Sequence, residues 1–132
     1  METIQIATRS RTQAVDITRE VEQALAAAGV RDGMVVICSA HTTAGLTVNE
    51  NADPDVMADI LSTLDRLVPR QGPYAHREGN SDAHVKASLV GLSVTLPAQN
   101  GRLVLGTWQG VYFCEFDGPR RRRVFVQVLP AA

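Results

Sequence analysis

The chain has 132 residues, a formal net charge of −1, 45% hydrophobic residues and 20% charged residues. One domain of this length buries about two thirds of the surface of its unfolded chain, so neither a disulfide nor a structural metal is needed for folding. The small net charge gives no reason to expect binding to nucleic acid or to an anionic membrane. No apolar run approaches the ~18 residues that span a bilayer and no basic leader precedes the first patterned residues, so we expect a cytoplasmic protein.

The N-terminal third predicts two short strands, a helix and a buried strand. Alternating apolar and polar residues favour strands over Thr3–Thr8 and Ala14–Ile17. Thr18 is a candidate N-cap for a helix that Gly29 ends. Met34–Cys38 is apolar without alternation, which is typical of a strand that is buried on both faces.

The middle of the chain predicts a return strand followed by a helix. Gly45–Val48 is strand-like, and Asp53 before Pro54 is a strong helix start. An aspartate side chain caps free amides, and proline at the first helical position loses no hydrogen bond. An apolar stripe then continues as far as Val68.

A loop and a short helix come next. Ser81 or Asp82 is the expected cap of this helix, and Gly91 is its expected end. Helical spacing predicts that Val85 and Leu89 face the core.

The C-terminal third predicts an antiparallel meander. Its β-rich runs are Ser93–Leu96, Arg102–Leu105, Val111–Phe116 and Val124–Leu129. The arginine run Arg120–Arg123 predicts solvated charge on an edge strand. The order of elements predicts one α+β domain over residues 1–132, mainly an antiparallel β-sandwich with two longer helices and one short helix.

All three histidines lie in two polar segments, HTTAGLTVNENADPD from His41 and YAHREGNSDAH up to His84. His41, His76 and His84 could together ligate zinc or a related ion, because three imidazoles leave one position open for water or substrate. Their spacing matches no local zinc motif. The residues alone therefore leave open whether they bind metal or are surface or hydrogen-bonded histidines.

Glu50 is the candidate general base or histidine partner. Asp53 and Asp82 are explained as helix caps, whereas Glu50 lies between two asparagines where neither a cap nor a helical pair requires it. The alternative is an exposed loop glutamate.

Hydrogen-bond donors near the two helix starts predict a phosphate site. They are supplied by Thr42, Thr43, Ser81 and Lys86, although the acidic caps weaken this interpretation. Trp108, beside Gln109 and between two glycines, is a candidate ligand platform, an interface anchor or a cover for the core.

Three motifs in order, HTTAGLTVNENADPD, EGNSDAHVKASLVG and LGTWQGVYFCEFDGPRRRRVFVQV, closely resemble the YjbQ-like family, which is associated with secondary thiamine-phosphate synthase activity. The resemblance covers nearly the whole chain. It implies a β-sandwich fold, a homotrimer with sites near subunit boundaries, and a divalent metal, zinc, on His41, His76 and His84. With Glu50 as catalytic residue, the predicted substrate-binding residues are Thr42, Thr43, Asn49, Asn51, Asn80, Lys86, Trp108 and Gln109.

The activity that this resemblance implies joins a hydroxymethylpyrimidine diphosphate to a thiazole phosphate and releases pyrophosphate, as a secondary activity. Two alternatives are a metal-dependent hydrolase of another small phosphorylated or ester substrate, and a non-catalytic protein that binds a small anion. In each case we expect a small-molecule partner and no nucleic acid or membrane.

Overall fold

The computed structural model describes residues 1–132 and contains eight strands and three helices. In chain order they are β1 (Glu2–Ala7), β2 (Gln13–Asp16), α1 (Thr18–Ala28), β3 (Gly33–Ser39), β4 (Ala44–Glu50), α2 (Pro54–Leu67), α3 (Ser81–Val90), β5 (Ser93–Gln99), β6 (Arg102–Leu103), β7 (Gln109–Glu115) and β8 (Arg121–Pro130). The predicted α+β class, with antiparallel strands, two longer helices and one shorter helix, is confirmed.

The strands form two antiparallel sheets. One has five strands in the order β1-β8-β3-β5-β6, and the other has three in the order β2-β7-β4. The predicted meander is therefore wrong, because β7 belongs to the smaller sheet while β5, β6 and β8 belong to the larger one. The predicted edge strand is also wrong, since β8 pairs with β1 on one side and β3 on the other.

The main core lies between the two sheets and α1. Its fully buried members include Leu25, Ile37 and Phe113. In β3, Val35 and Ile37 have no exposed surface while their neighbours are half-buried or exposed, so only one face of this strand is fully covered. A second core holds α2 and α3 against the smaller sheet and is built from Met57, Ala83, Ala87, Tyr112, Cys114 and Phe116.

Local helix signals are confirmed at Gly29, Asp53 and Gly91, the last of which occupies the C-cap of α3. Gly29 ends α1 with a positive φ of 68°, and Asp53 caps α2 by accepting a 2.9 Å hydrogen bond from the Asp55 amide. Thr18 is not the predicted cap. Its hydroxyl instead accepts a 2.8 Å hydrogen bond from the Val111 amide and so connects α1 to β7.

The inward face of α3 differs from the prediction. Val85 and Leu89 are 41% and 64% exposed, whereas Asp82 and Lys86 are buried. Neither Ser81 nor Asp82 caps the helix, because Asn80 occupies the N-cap position, and its side chain makes no capping hydrogen bond to the helix. The prediction from hydrophobic spacing fails here because Asp82 and Lys86 form an ion pair at 3.1 Å, and both side chains are buried.

The longest of the three helices, α2, has 14 residues, and none of the three could span a bilayer.

Candidate functional site

A polar cavity of about 450 Å³ opens beside the loop between β3 and β4, the start of α3 and the turn between β7 and β8. We call it the arginine–histidine pocket. Its lining contains one apolar residue, Ala40, and ten polar or charged residues: His41, Thr42, Thr43, Glu78, Asn80, His84, Asp117, Arg120, Arg121 and Arg122. Such a lining is suited to a small polar ligand.

His41 continues the pairing between β3 and β8 beyond the last residue of β3. The Ala40 amide donates to the Arg123 carbonyl at 3.2 Å, and the Arg123 amide donates to Nε2 of His41 at 2.8 Å. The imidazole thus takes the acceptor place that a further β3 residue would have filled. Burial, followed by the positive charge of Arg122, lowers the pKa of His41, so the ring is neutral at pH 7.

Arg122 forms the buried back wall of the pocket. Its Nε donates to Glu115 at 2.7 Å, its Nη2 donates to the same carboxylate and, at 2.9 Å, to the Thr43 hydroxyl. The Thr8 hydroxyl also donates to Glu115 at 2.9 Å. Burial raises the pKa of Glu115, but hydrogen bonds from Arg122, from the Asp117 amide and from Thr8 outweigh it, and the pKa is lowered. Arg122 is therefore neutralised and held in place.

Asp117 neutralises a second arginine at the pocket. Its carboxylate accepts from Arg120 at 3.2 Å and from the Asn80 side-chain amide at 2.9 Å. The other side-chain atom of Asn80, Oδ1, is buried and has no hydrogen-bond partner. A ligand that offers a hydroxyl or amine to this oxygen would satisfy it.

Arg121 differs from its two neighbours because it makes no ion pair and no side-chain hydrogen bond. The backbone amides of Thr42 and Thr43 also donate to no acceptor within the chain. An unneutralised guanidinium and free amides at one cavity are the donors that bind phosphate and other anions.

The three histidines do not surround a common centre. The rings of His76 and His84 are in contact, with centroids 5.7 Å apart and planes nearly perpendicular, and His84 shares the pocket lining with His41. No three His, Cys, Asp or Glu side chains lie close enough together to hold one metal ion. Within one chain these residues therefore do not fit the zinc that the resemblance implies.

Lys86 is not available to bind a ligand, although the sequence predicted that it donates a hydrogen bond to phosphate. Its side chain is 1% exposed, and Nζ donates to Asp65 at 2.6 Å and to Asp82 at 3.1 Å. Asp82 also accepts two hydrogen bonds from Arg11. These contacts fix α3 against α2 and against the loop between β1 and β2, so they explain Lys86 structurally.

The remaining predicted site residues lie at the opposite end of the smaller sheet. β4 pairs with β7 from Ala44 opposite Glu115 to Glu50 opposite Gln109, so the two ends are about 20 Å apart. We call the second group the tryptophan cluster; it contains Asn49, Glu50, Asn51, Trp108 and Gln109. Trp108 is 62% exposed, which excludes its role as a cover for the core.

Glu50 lies in that cluster and not beside the histidines. Its carboxylate accepts a 3.2 Å hydrogen bond from the Asp53 amide, just before α2. Asn51 donates from its side chain to Asp16 at 3.3 Å, and its backbone amide donates to the Trp108 carbonyl at 2.9 Å. A role for Glu50 at the arginine–histidine pocket of its own chain is therefore excluded by distance.

A larger cavity, of about 630 Å³, lies elsewhere and suits the predicted chemistry less well. It is at the start of β3, the opposite end of that strand from His41, and is lined by Met34, Pro97, Leu129 and their neighbours. Asp32 is its one titratable residue. The arginine–histidine pocket is therefore the candidate site.

The protein class defined by these observations is a small α+β domain of two antiparallel sheets with a polar, arginine-lined pocket at the edge of its core. A family model for "UPF0047 protein YjbQ-like" matches residues 2–131, and the chain belongs to this family.

Close relatives come from bacteria and archaea. The chain is 51% identical to UPF0047 protein MJ1081 of Methanocaldococcus jannaschii, over 95% of this chain and 91% of that protein. It is 50% identical to UPF0047 protein YugU of Bacillus subtilis, over 98% of each. A crystal structure of a YjbQ/UPF0047 family protein from Clostridium acetobutylicum superposes with a TM-score of 0.96 at 53% identity, covering 98% of this chain and all of the other.

Proposed function

We propose that this chain binds a small phosphorylated substrate in the arginine–histidine pocket. The observation that carries the proposal is Arg121, an unpaired guanidinium at a cavity that also offers the free amides of Thr42 and Thr43. Arg120 and Arg122 are matched by carboxylates, so Arg121 is the cation left to neutralise a ligand.

The reaction that we propose is of the thiamine-phosphate synthase type, in which a hydroxymethylpyrimidine diphosphate is joined to a thiazole phosphate. Such a transfer is accelerated by donors placed where charge develops on the leaving pyrophosphate. Arg121 and the free amides are suited to this task. The proposed zinc stays a prediction and has no step here, because the histidines of one chain do not form its ligand set.

Calorimetric titration with pyrophosphate tests the binding step. Arg121→Ala should weaken binding roughly ten- to a hundredfold, since a hydrogen bond to a charged group is worth about 1.5–3 kcal/mol. Arg70→Ala, which removes an exposed and unpaired arginine in the loop before α3, is the matched control and should bind like wild type. Absence of pyrophosphate binding by the wild-type chain would refute the proposal.

Product analysis then separates the three functions. Thiamine phosphate formed from the two precursors by wild type, and lost in Arg121→Ala, supports the transferase. Phosphate release from a panel of small phosphate esters, without coupling, supports the hydrolase. Binding without turnover in either assay supports a non-catalytic anion-binding protein.

We also propose the homotrimer that the resemblance implies, with its site shared between subunits. Support comes from the separation of the two polar groups, since the tryptophan cluster can reach the arginine–histidine pocket only from another copy of the chain. Mixed assemblies provide the test. Arg121→Ala and Glu50→Ala subunits, each inactive alone, should regain part of the activity when they are mixed and reassembled, and no recovery would contradict a shared site.

A further inference from the structure

The contacts of His41 restrict what this residue can do in the pocket. The Arg123 amide donates to Nε2 at 2.8 Å, so that ring nitrogen must present a lone pair to the amide and carries no proton. In a neutral imidazole the proton is then on Nδ1. The nitrogen that accepts is thus fixed by the backbone of β8.

A metal ligand needs a free lone pair on one ring nitrogen. At His41 the lone pair of Nε2 accepts the hydrogen bond from the Arg123 amide. Nδ1 carries the ring proton and so has no free lone pair. Nδ1 makes no hydrogen bond within the chain, and His41 lines the same cavity as Arg121 and Thr42. What the ring offers to that cavity is therefore one hydrogen-bond donor.

We propose that His41 is held as the Nδ1–H tautomer by the Arg123 amide and that it donates from Nδ1 to the bound anion instead of ligating a metal. This inference deepens the proposed function and rests on it for the identity of the anion. It assigns His41 to the recognition of an oxyanion, together with Arg121.

The tautomer can be observed directly. In uniformly ¹⁵N-labelled protein at pH 7.5, long-range proton–nitrogen correlation should show a protonated Nδ1 and an unprotonated Nε2 for His41, because the two kinds of nitrogen resonate far apart. Zinc added alone should leave both His41 nitrogens unshifted, and pyrophosphate should shift Nδ1. A protonated Nε2, or a zinc-induced shift of either nitrogen, would overturn the inference.

Two substitutions separate the two ring nitrogens. His41→Gln places a side-chain amide near Nε2, where its oxygen can still accept from Arg123, but it removes the Nδ1 donor. His41→Asn places an amide nitrogen near Nδ1 and loses the contact with Arg123. We expect His41→Gln to bind pyrophosphate roughly ten- to a hundredfold more weakly, with His41→Asn much closer to wild type. The reverse order would contradict a donor at Nδ1.

Arg70→Ala, which changes an exposed residue in the loop before α3 and outside the pocket, is the control for both ligands and should behave like wild type. Failure of this inference is distinguishable from failure of the proposed function. A wild-type chain that shows the Nδ1–H tautomer but binds no pyrophosphate would refute the proposed function and the donor role. An Nε2–H tautomer in a chain that does bind pyrophosphate would refute the inference alone.

Discussion

The buried pair of Arg122 and Glu115 allows a sharp prediction about stability. Glu115→Ala removes the carboxylate that accepts from Arg122, from the Thr8 hydroxyl and from the Asp117 amide. Arg122 is 4% exposed and would remain buried without a counter-charge. Breaking a buried pair in this way costs about 3–5 kcal/mol, against a total stability of about 5–15 kcal/mol for a typical domain.

The free energy of unfolding should therefore fall by about 3–5 kcal/mol at pH 7, measured by urea denaturation at equal protein concentration. For a chain of this length, 1 kcal/mol corresponds to roughly 3–4 °C, so the Tm should fall by roughly 10–20 °C. Asp59→Ala, at an exposed and unpaired position of α2, is the control and should change stability by less than about 0.5 kcal/mol. A loss below 1 kcal/mol in Glu115→Ala would refute the reasoning.

A double variant and a pH series test the cause of this loss. Replacing the pair by Glu115→Leu and Arg122→Met removes the orphaned charge, so most of the stability should return. The pKa of Glu115 is lowered in the folded chain, so its contribution is present above the ordinary value of 4.5 and disappears as pH falls through the folded pKa. The difference in free energy of unfolding between wild type and Glu115→Ala should therefore disappear in that acidic range. A difference that persists there would contradict the assignment.

Three further predictions concern buried groups elsewhere. Asp82→Asn should destabilise the chain by about 1.5–3 kcal/mol in urea denaturation, because Lys86 keeps only its ion pair with Asp65 and Arg11 loses its carboxylate partner. Since the pKa of Asp82 is lowered, the difference from wild type should shrink as pH falls below its ordinary value of 3.8. Gly45→Ala should cost about 1–3 kcal/mol in the same assay, because its Cβ would lie 2.5 Å from the backbone oxygen just after α3. Burial raises the pKa of the Cys114 thiol to about 12, so a thiol reagent at pH 8 should label half-buried Cys38 and leave Cys114 unmodified until the chain unfolds; equal labelling rates for the two thiols would contradict this.

The features predicted well from the sequence are those that neighbouring residues determine. The Asp53–Pro54 helix start and the Gly29 helix end depend on a few adjacent backbone groups, and both are present in the structure. Strand locations were also predicted to within a few residues, because alternation is a local pattern. Strand order was not, since pairing joins segments that are far apart in the chain.

The charged residues show why the rest could not be predicted. Arg122 was predicted as solvated charge and Lys86 as a donor to phosphate, because a charged side chain is normally exposed unless a partner is known. Their partners include Thr43, which is 79 positions from Arg122, and Asp65, which is 21 positions from Lys86. Only the folded chain brings these groups together.

The residues that were predicted to form one site lie in two separate places, because the sequence does not show which distant segments meet. His41 and Glu50 belong to one continuous polar motif, which suggested one site. The strand between them is extended, however, and carries the two residues to opposite ends of the smaller sheet. Asn80 and His84, which are 39 and 43 positions further along the chain, lie in the same pocket as His41.

The central place of β8 has a consequence for biosynthesis. Strands β1 and β3 leave the ribosome early, yet each has its neighbour in residues 121–130, the last strand of the domain to be synthesised. Until then both expose unpaired backbone groups that can associate with other nascent chains. The larger sheet must therefore close after translation of the domain, and a premature stop codon before β8 should yield an insoluble product.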